Sequence, residues 1–178
     1  GISSQFSLGG QVANPGTYTL ASLQALPSAT QTVTYRAGQA TVTGSFTGVP
    51  LWTLLSNAGL VTDPSVKNDL LGKYLVATGS DGYKAVIALG EVSPRFGNNN
   101  SLIAYSVNGQ GLGADGFARL VVPGDTFGGR YVSNLIGLEV FSALGSVSAP
   151  EPGTGLLLLA GVPAMLFVGR WRRDDTTG

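Results

Sequence analysis

The sequence predicts a mixed, strand-rich α/β domain followed by a C-terminal hydrophobic helix. Short runs of β-branched and aromatic residues in period-2 alternation recur between Phe6 and Phe141. Only two or three segments space their apolar residues by three and four, as helices do. Beyond Gly145 the character changes, to a Pro-Glu-Pro motif, an uncharged stretch and an arginine cluster.

In chain order, Phe6–Val12 reads as a strand closed by Asn14-Pro15-Gly16. Tyr18–Leu26 spaces Leu20, Leu23 and Leu26 by three, predicting a short helix stopped by Pro27. Thr32–Tyr35 and Gln39–Phe46 alternate and read as strands. Gly48-Val49-Pro50 introduces the clearest helix: Leu51, Leu54, Leu55 and Ala58 share one face, and Gly59 ends it. Asp63-Pro64 opens a second helical stretch to about Leu71. Tyr74–Thr78 and Tyr83–Leu89 flank Ser80-Asp81-Gly82, a hairpin signal. Leu102–Val107, Phe117–Val122 and Val132–Phe141 complete the strands. The implied organisation is a globular domain over 1–145, a linker over 146–152, and a helix with a basic tail over 153–178.

Composition bounds the chemistry. The 178 residues hold 10 Lys+Arg and 10 Asp+Glu, a net charge of zero, so non-specific nucleic-acid binding has no electrostatic basis. There is no Cys and no His. That excludes thiolate and imidazole metal sites, Cys nucleophiles and Ser-His-Asp triads. The expected catalytic set and metal set are both empty.

The uncharged stretch Gly153–Gly169 would span ~26 Å as a helix, slightly short of a ~30 Å hydrocarbon core. Arg170, Trp171, Arg172 and Arg173 follow, the aromatic and cationic residues of a membrane interface. Pro150-Glu151-Pro152, this stretch and Arg170, Arg172 and Arg173 together resemble the PEP-CTERM sorting signal of Gram-negative bacteria. The resemblance implies retention in the inner membrane, processing by an exosortase, and delivery to the cell surface or extracellular matrix.

The globular part resembles the molybdopterin-binding domain of sulfite-oxidase-like oxidoreductases. Phe6–Val12 with Tyr18-Thr19-Leu20, Phe46–Leu51 with Ala58-Gly59, Ser80–Tyr83, and Asn108–Leu112 with Gly116–Gly124 and Gly129-Arg130 follow the family's order over about residues 5–141. The resemblance implies a molybdenum-ligating cysteine near Thr32–Gly38, where this chain has no thiol. It implies a histidine just before Gly116, where this chain has Asp115, whose carboxylate would repel a pterin phosphate. Arg119 and Arg130 match basic positions of the family and are the residues expected to be vestigial cofactor contacts, or else solvated strand-end charges.

Three further signals carry bland readings. Gly111–Gly116 fits G-x-G-x-x-G, but a strand rather than a helix follows it. Asp81-Gly82 and Asp115-Gly116 are turn pairs before they are calcium ligands. Glu91 and Asp125 would form a glycosidase pair only if folding set them at the required separation. The expected function is therefore a non-catalytic structural or interaction module on an emptied oxidoreductase fold, without cofactor. It would be a homo-oligomer, self-assembling as an oligomer or filament, with exopolysaccharide as a further partner. The alternative is a periplasmic oxidoreductase-like enzyme that binds the pterin cofactor without a protein thiolate.

Overall fold

A computed structural model describes residues 1–143. The Pro150-Glu151-Pro152 motif, the stretch Gly153–Gly169 and Arg170, Arg172 and Arg173 lie outside the described residues. The strands and helices are β1 (Gln5–Gly10), β2 (Gly16–Thr19), α1 (Leu20–Gln24), β3 (Ala29–Ala37), β4 (Ala40–Pro50), α2 (Leu51–Ala58), β5 (Lys73–Gly79), β6 (Lys84–Ala88), α3 (Leu89–Val92), β7 (Leu102–Val107), β8 (Gln110–Gly111), β9 (Arg119–Val121) and β10 (Leu135–Ser142). They form two sheets. One has the order β2-β1-β10-β5-β6, and the other has the order β3-β4-β7-β8 with β9 also pairing β7. The expected mixed, strand-rich α/β class is what the chain adopts.

The first and last strands lie side by side in parallel, with Ser7 opposite Gly137 and Gly10 opposite Val140. Gly10 makes that approach possible: its φ is +80°, and a Cβ there would sit 2.1 Å from the Val140 carbonyl oxygen. α2 buries Leu51, Leu54, Leu55 and Ala58, and Gly59 closes it in the left-handed region. Each fully buried leucine contributes roughly 1.5–3 kcal/mol over an exposed one, so this face anchors the helix despite the lack of a side-chain cap at Pro50.

Several boundaries differ from the sequence expectation, β3 and β4 by running longer. Tyr18 and Thr19 pair with Phe6 and Gln5 in β2, so the helix starts only at Leu20. Thr19 and Ser22 exchange side-chain and backbone bonds as a capping box, and of the three leucines it is Leu23 that is fully buried. Asp63–Leu71 is not a helix. The Asp63 carboxylate accepts from the Ser65 N–H and hydroxyl, Asn68 has φ +55°, and one 3-10 turn (Asp69–Gly72) remains. β9 and β10 are shorter than predicted, and Asn134, at φ +49°, delays β10 to Leu135.

Candidate functional site

Successive residues of a strand face opposite sides. Near the end of β3, Tyr35 is buried while Arg36 is exposed. The segment before and through a 3-10 turn (Gly128–Arg130) crosses this end: the Arg36 N–H donates to the Thr126 carbonyl at 2.9 Å, and Arg36 and Phe127 form a parallel bridge. Gly128 permits the crossing, because a Cβ there would stand 2.8 Å from the Tyr35 ring. The Tyr83 hydroxyl donates to the Gly129 carbonyl and pins the turn from the other sheet. These segments enclose an open cleft of about 400 Å³, lined by Tyr35, Arg36, Gly38, Arg119, Phe127 and Gly129 among others.

Arg119, the first residue of β9, is the partly buried cation of the site, with 14% of its side chain exposed. Its guanidinium carbon lies 5.9 Å from the Tyr35 ring centroid, 5.8 Å from Phe46 and 5.7 Å from Tyr131. Nη1 donates to Asp115 at 2.7 Å and Nη2 to the Tyr35 hydroxyl at 3.3 Å. The Asp115 carboxylate also accepts from the Ser133 hydroxyl at 2.9 Å. Asp115 is thus charge-matched by Arg119, which corrects the expectation of a carboxylate free to repel an anionic ligand.

Two donors beside this cluster have no partner. Arg119 Nε and the Tyr131 hydroxyl are both buried and unbonded. Burial, with the neighbouring Asp125 and Tyr35, pushes the Tyr131 phenol up to about 12, against the opposing pull of Arg119. Its ring packs 4.4 Å from that of Tyr35. Unused donors of this kind are costly in a folded protein and mark places where an acceptor from outside the chain would be held.

The sequence-expected residues separate. Arg119 lies in the cleft. Arg130 turns away from it, donating to both Asp125 oxygens at 2.8 and 2.6 Å and to Glu91 at 2.9 and 3.2 Å. The hydrogen bonds that Arg130 donates to Asp125, and then to Glu91, raise its pKa above its ordinary value. Neither arginine is a solvated strand-end charge. Folding does gather Glu91 and Asp125, but around the Arg130 guanidinium, which bonds both carboxylates and fills the space between them where a glycosidase pair would need a substrate. Gly111–Gly116 ends β8 and forms a 3-10 turn (Gly113–Asp115) ahead of β9, with no helix to meet a pyrophosphate. Asp81 accepts from the Tyr83 N–H as a turn residue. Among the described residues, no group of three or more His, Cys, Asp or Glu side chains gathers for a metal. Phe46, Tyr131 and Gly128 were not legible as site residues, since nothing in their spacing links them to Arg119.

Residues 3–143 match the family described as the oxidoreductase molybdopterin binding domain. The chain belongs to this family. Its fold is similar to that of the sulfane dehydrogenase SoxCD from Paracoccus pantotrophus, with a TM-score of 0.63 and 24% identity over 77% of this chain and 38% of that chain. The molybdopterin-binding domain here therefore spans well under half the length of that relative. No curated protein matches the chain in sequence.

Membership of an oxidoreductase family overturns the expectation of a non-catalytic structural, self-assembling matrix module, and with it the expectation that the chain is not an enzyme. The absent thiol removes a metal ligand but leaves the rest of the cleft in place. The cleft holds a partly buried arginine whose Nε has no partner.

The family implies a molybdopterin cofactor, whose organic part is a planar ring system bearing phosphate. The residues fit that part: a buried guanidinium with an unused N–H, an unused phenol, and glycines that leave the backbone of the 128–129 turn uncovered. They offer the metal no thiolate, because the chain has no Cys.

Proposed function

We propose that this chain is an oxidoreductase-type module that holds a molybdopterin cofactor by its organic part, without a thiolate of its own. The observation that carries the reading is Arg119, which lines the cleft with its Nε buried and unbonded, backed by the unbonded Tyr131 hydroxyl, whose ring packs against Tyr35 of the cleft wall. When bound, the cofactor supplies two-electron oxidation–reduction. The chain's residues position it. Arg119, charge-matched by Asp115, offers its unused Nε–H as the donor to a bound group, with Tyr35, Phe46 and Tyr131 packed about the guanidinium. Asp115 and Tyr35 hold two of its nitrogens, which orients the guanidinium. Tyr131 stays protonated at every physiological pH and can only donate or accept a hydrogen bond. Arg36, whose guanidinium lies 5.5 Å from the Phe127 ring, adds a second cation at the rim.

The test is expression in a host that makes molybdopterin, followed by release of pterin from the purified chain and measurement of its fluorescence. Pterin at near-equal stoichiometry supports the reading. Pterin at trace levels, from a host whose other molybdoenzymes are loaded, refutes it.

We propose further that Pro150-Glu151-Pro152, the stretch Gly153–Gly169 and Arg170, Arg172 and Arg173 act as a PEP-CTERM signal, with 1–145 as the exported domain and 146–152 as the linker. The sequence order supports this. The tail is held in the inner membrane, an exosortase acts on it, and the domain is delivered outside the cell. Mass spectrometry of the C-terminus from cells with and without exosortase tests it: an unchanged terminus in both refutes the assignment.

A further inference from the structure

Nine-residue β3 is the outer strand of its sheet, paired along its length with β4 and bridged at Arg36 to Phe127. Its outward-facing threonines pair with β4 through their hydroxyls: Thr30 with Thr47 at 2.8 Å, Thr32 with Ser45 at 2.7 Å, and Thr34 with Thr43 at 2.9 Å. Side chains that close belong to the non-hydrogen-bonded positions of an antiparallel ladder, where the backbone groups point away from the neighbour. Two observations agree. The Ser45 N–H and carbonyl bond to Asn108 on the far side of β4. The Arg36 N–H, two residues on from Thr34, donates away from β4 to Thr126. The N–H and C=O groups of Thr30, Thr32 and Thr34 therefore face outward, and none has a backbone partner among the described residues.

This free edge has defined ends. Pro27 lies just before β3, and the contact with Thr126 and Phe127 closes it at Arg36. The open run is Ala29–Tyr35, and its midpoint is Thr32. It holds no charge, no proline and no bulge, the devices by which proteins blunt an exposed edge. An antiparallel copy laid over the whole run sets Thr32 opposite Thr32, and Thr30 opposite Thr34 on both sides. Those are the residues whose backbone groups face out, so all three pairs fall at hydrogen-bonded positions. The run is thus complementary to itself, as a two-fold interface must be. No like charges meet, and threonines face threonines, a favourable cross-strand pairing.

We propose that two copies of this domain pair through β3 as a closed two-fold dimer, joining their Ala29–Ala37 sheets into one continuous sheet. The pairing depends on the strand edge and not on the C-terminal tail, and it ends with two copies because a two-fold contact uses the β3 edge of both. It is independent of whether the cleft holds a pterin.

The chain has no cysteine, so one introduced thiol reports one contact. Cα atoms of a hydrogen-bonded antiparallel pair are about 5.5 Å apart, within the range a disulfide spans. The experiment uses the full chain in mild detergent, so that the tail is not the source of association. Under gentle oxidation, Thr32→Cys should give disulfide-linked dimer at least about tenfold faster than Thr41→Cys, an exposed position on β4 that lies off the edge. By light scattering the wild type should have the mass of two copies, and Thr32→Lys, which sets two cations face to face on the axis, the mass of one. Equal cross-linking at both positions, a monomeric wild type, or a dimer unaffected by Thr32→Lys would each overturn the proposal.

Discussion

Gly128→Ala tests the construction of the cleft at its tightest point. The added Cβ would lie 2.8 Å from two carbons of the Tyr35 ring, closer than real Cβ atoms come. The ring has little freedom to retreat. It packs against Tyr131 at 4.4 Å, and its hydroxyl accepts from Arg119 at 3.3 Å. Either the ring or the turn must shift, and overpacking of this kind costs ~1–3 kcal/mol. For a chain of this size that lowers Tm by roughly 2–12 °C. Gly129 is the internal control, because a Cβ there meets nothing within 4 Å. Urea denaturation of both variants should show Gly128→Ala shifted to lower midpoint at an unchanged slope, and Gly129→Ala within about 0.5 kcal/mol of wild type. Equal midpoints for the two variants would mean that the turn does not rest on the Tyr35 ring.

Tyr131→Phe removes a buried hydroxyl that has no partner, so the unliganded chain should lose no stability at neutral pH and should gain up to about 1 kcal/mol by urea denaturation. The same variant tests alkaline linkage. The Tyr131 phenol, pushed up to about 12, contributes stability that is complete below pH ~10 and lost as pH rises toward 12, so stability plotted against pH should fall less steeply in Tyr131→Phe over that window. Asp69 is held below the usual carboxylate range by the Asp63 N–H, with the Lys73 ammonium 3.1 Å away contributing. Its stabilisation is present above the ordinary carboxylate pKa and lost as pH falls, so Asp69→Asn should flatten the acid limb of the stability curve. Gly10→Ala should be the most damaging single substitution here, because its Cβ would meet Val140 backbone at 2.1 Å in a left-handed conformation, and low soluble yield or a large drop in Tm would show it.

Local chemistry was legible and assembly was not. α2 was readable because Leu51, Leu54, Leu55 and Ala58 obey one period and Gly59 ends it. The β5–β6 hairpin was readable because Ser80-Asp81-Gly82 fixes its own turn, with Gly82 at φ +85° and Asp81 bonded to Tyr83. Tyr18 and Thr19 are strand and not helix because pairing with β1 outweighs the threefold leucine spacing, and that partner lies outside any local window. The parallel contact of β1 with β10 left no sequence signal beyond Gly10. Arg119 was identified through the family resemblance, yet its meaning depends on Tyr35, Phe46 and Tyr131, which β3, β4 and the segment before β10 bring together. The missing thiol was visible in the sequence. The unfilled donors that argue for a ligand appear only in three dimensions.

Adding molybdopterin to the pterin-free chain and following the quenching of its intrinsic fluorescence tests the central claim most directly, with Arg119→Gln run beside the wild type. Saturable binding by the wild type, weakened about tenfold or more in Arg119→Gln, is the predicted result, since a hydrogen bond to a charged group is worth about 1.5–3 kcal/mol. No saturable binding by a folded wild-type chain, or equal binding by the two, would contradict it.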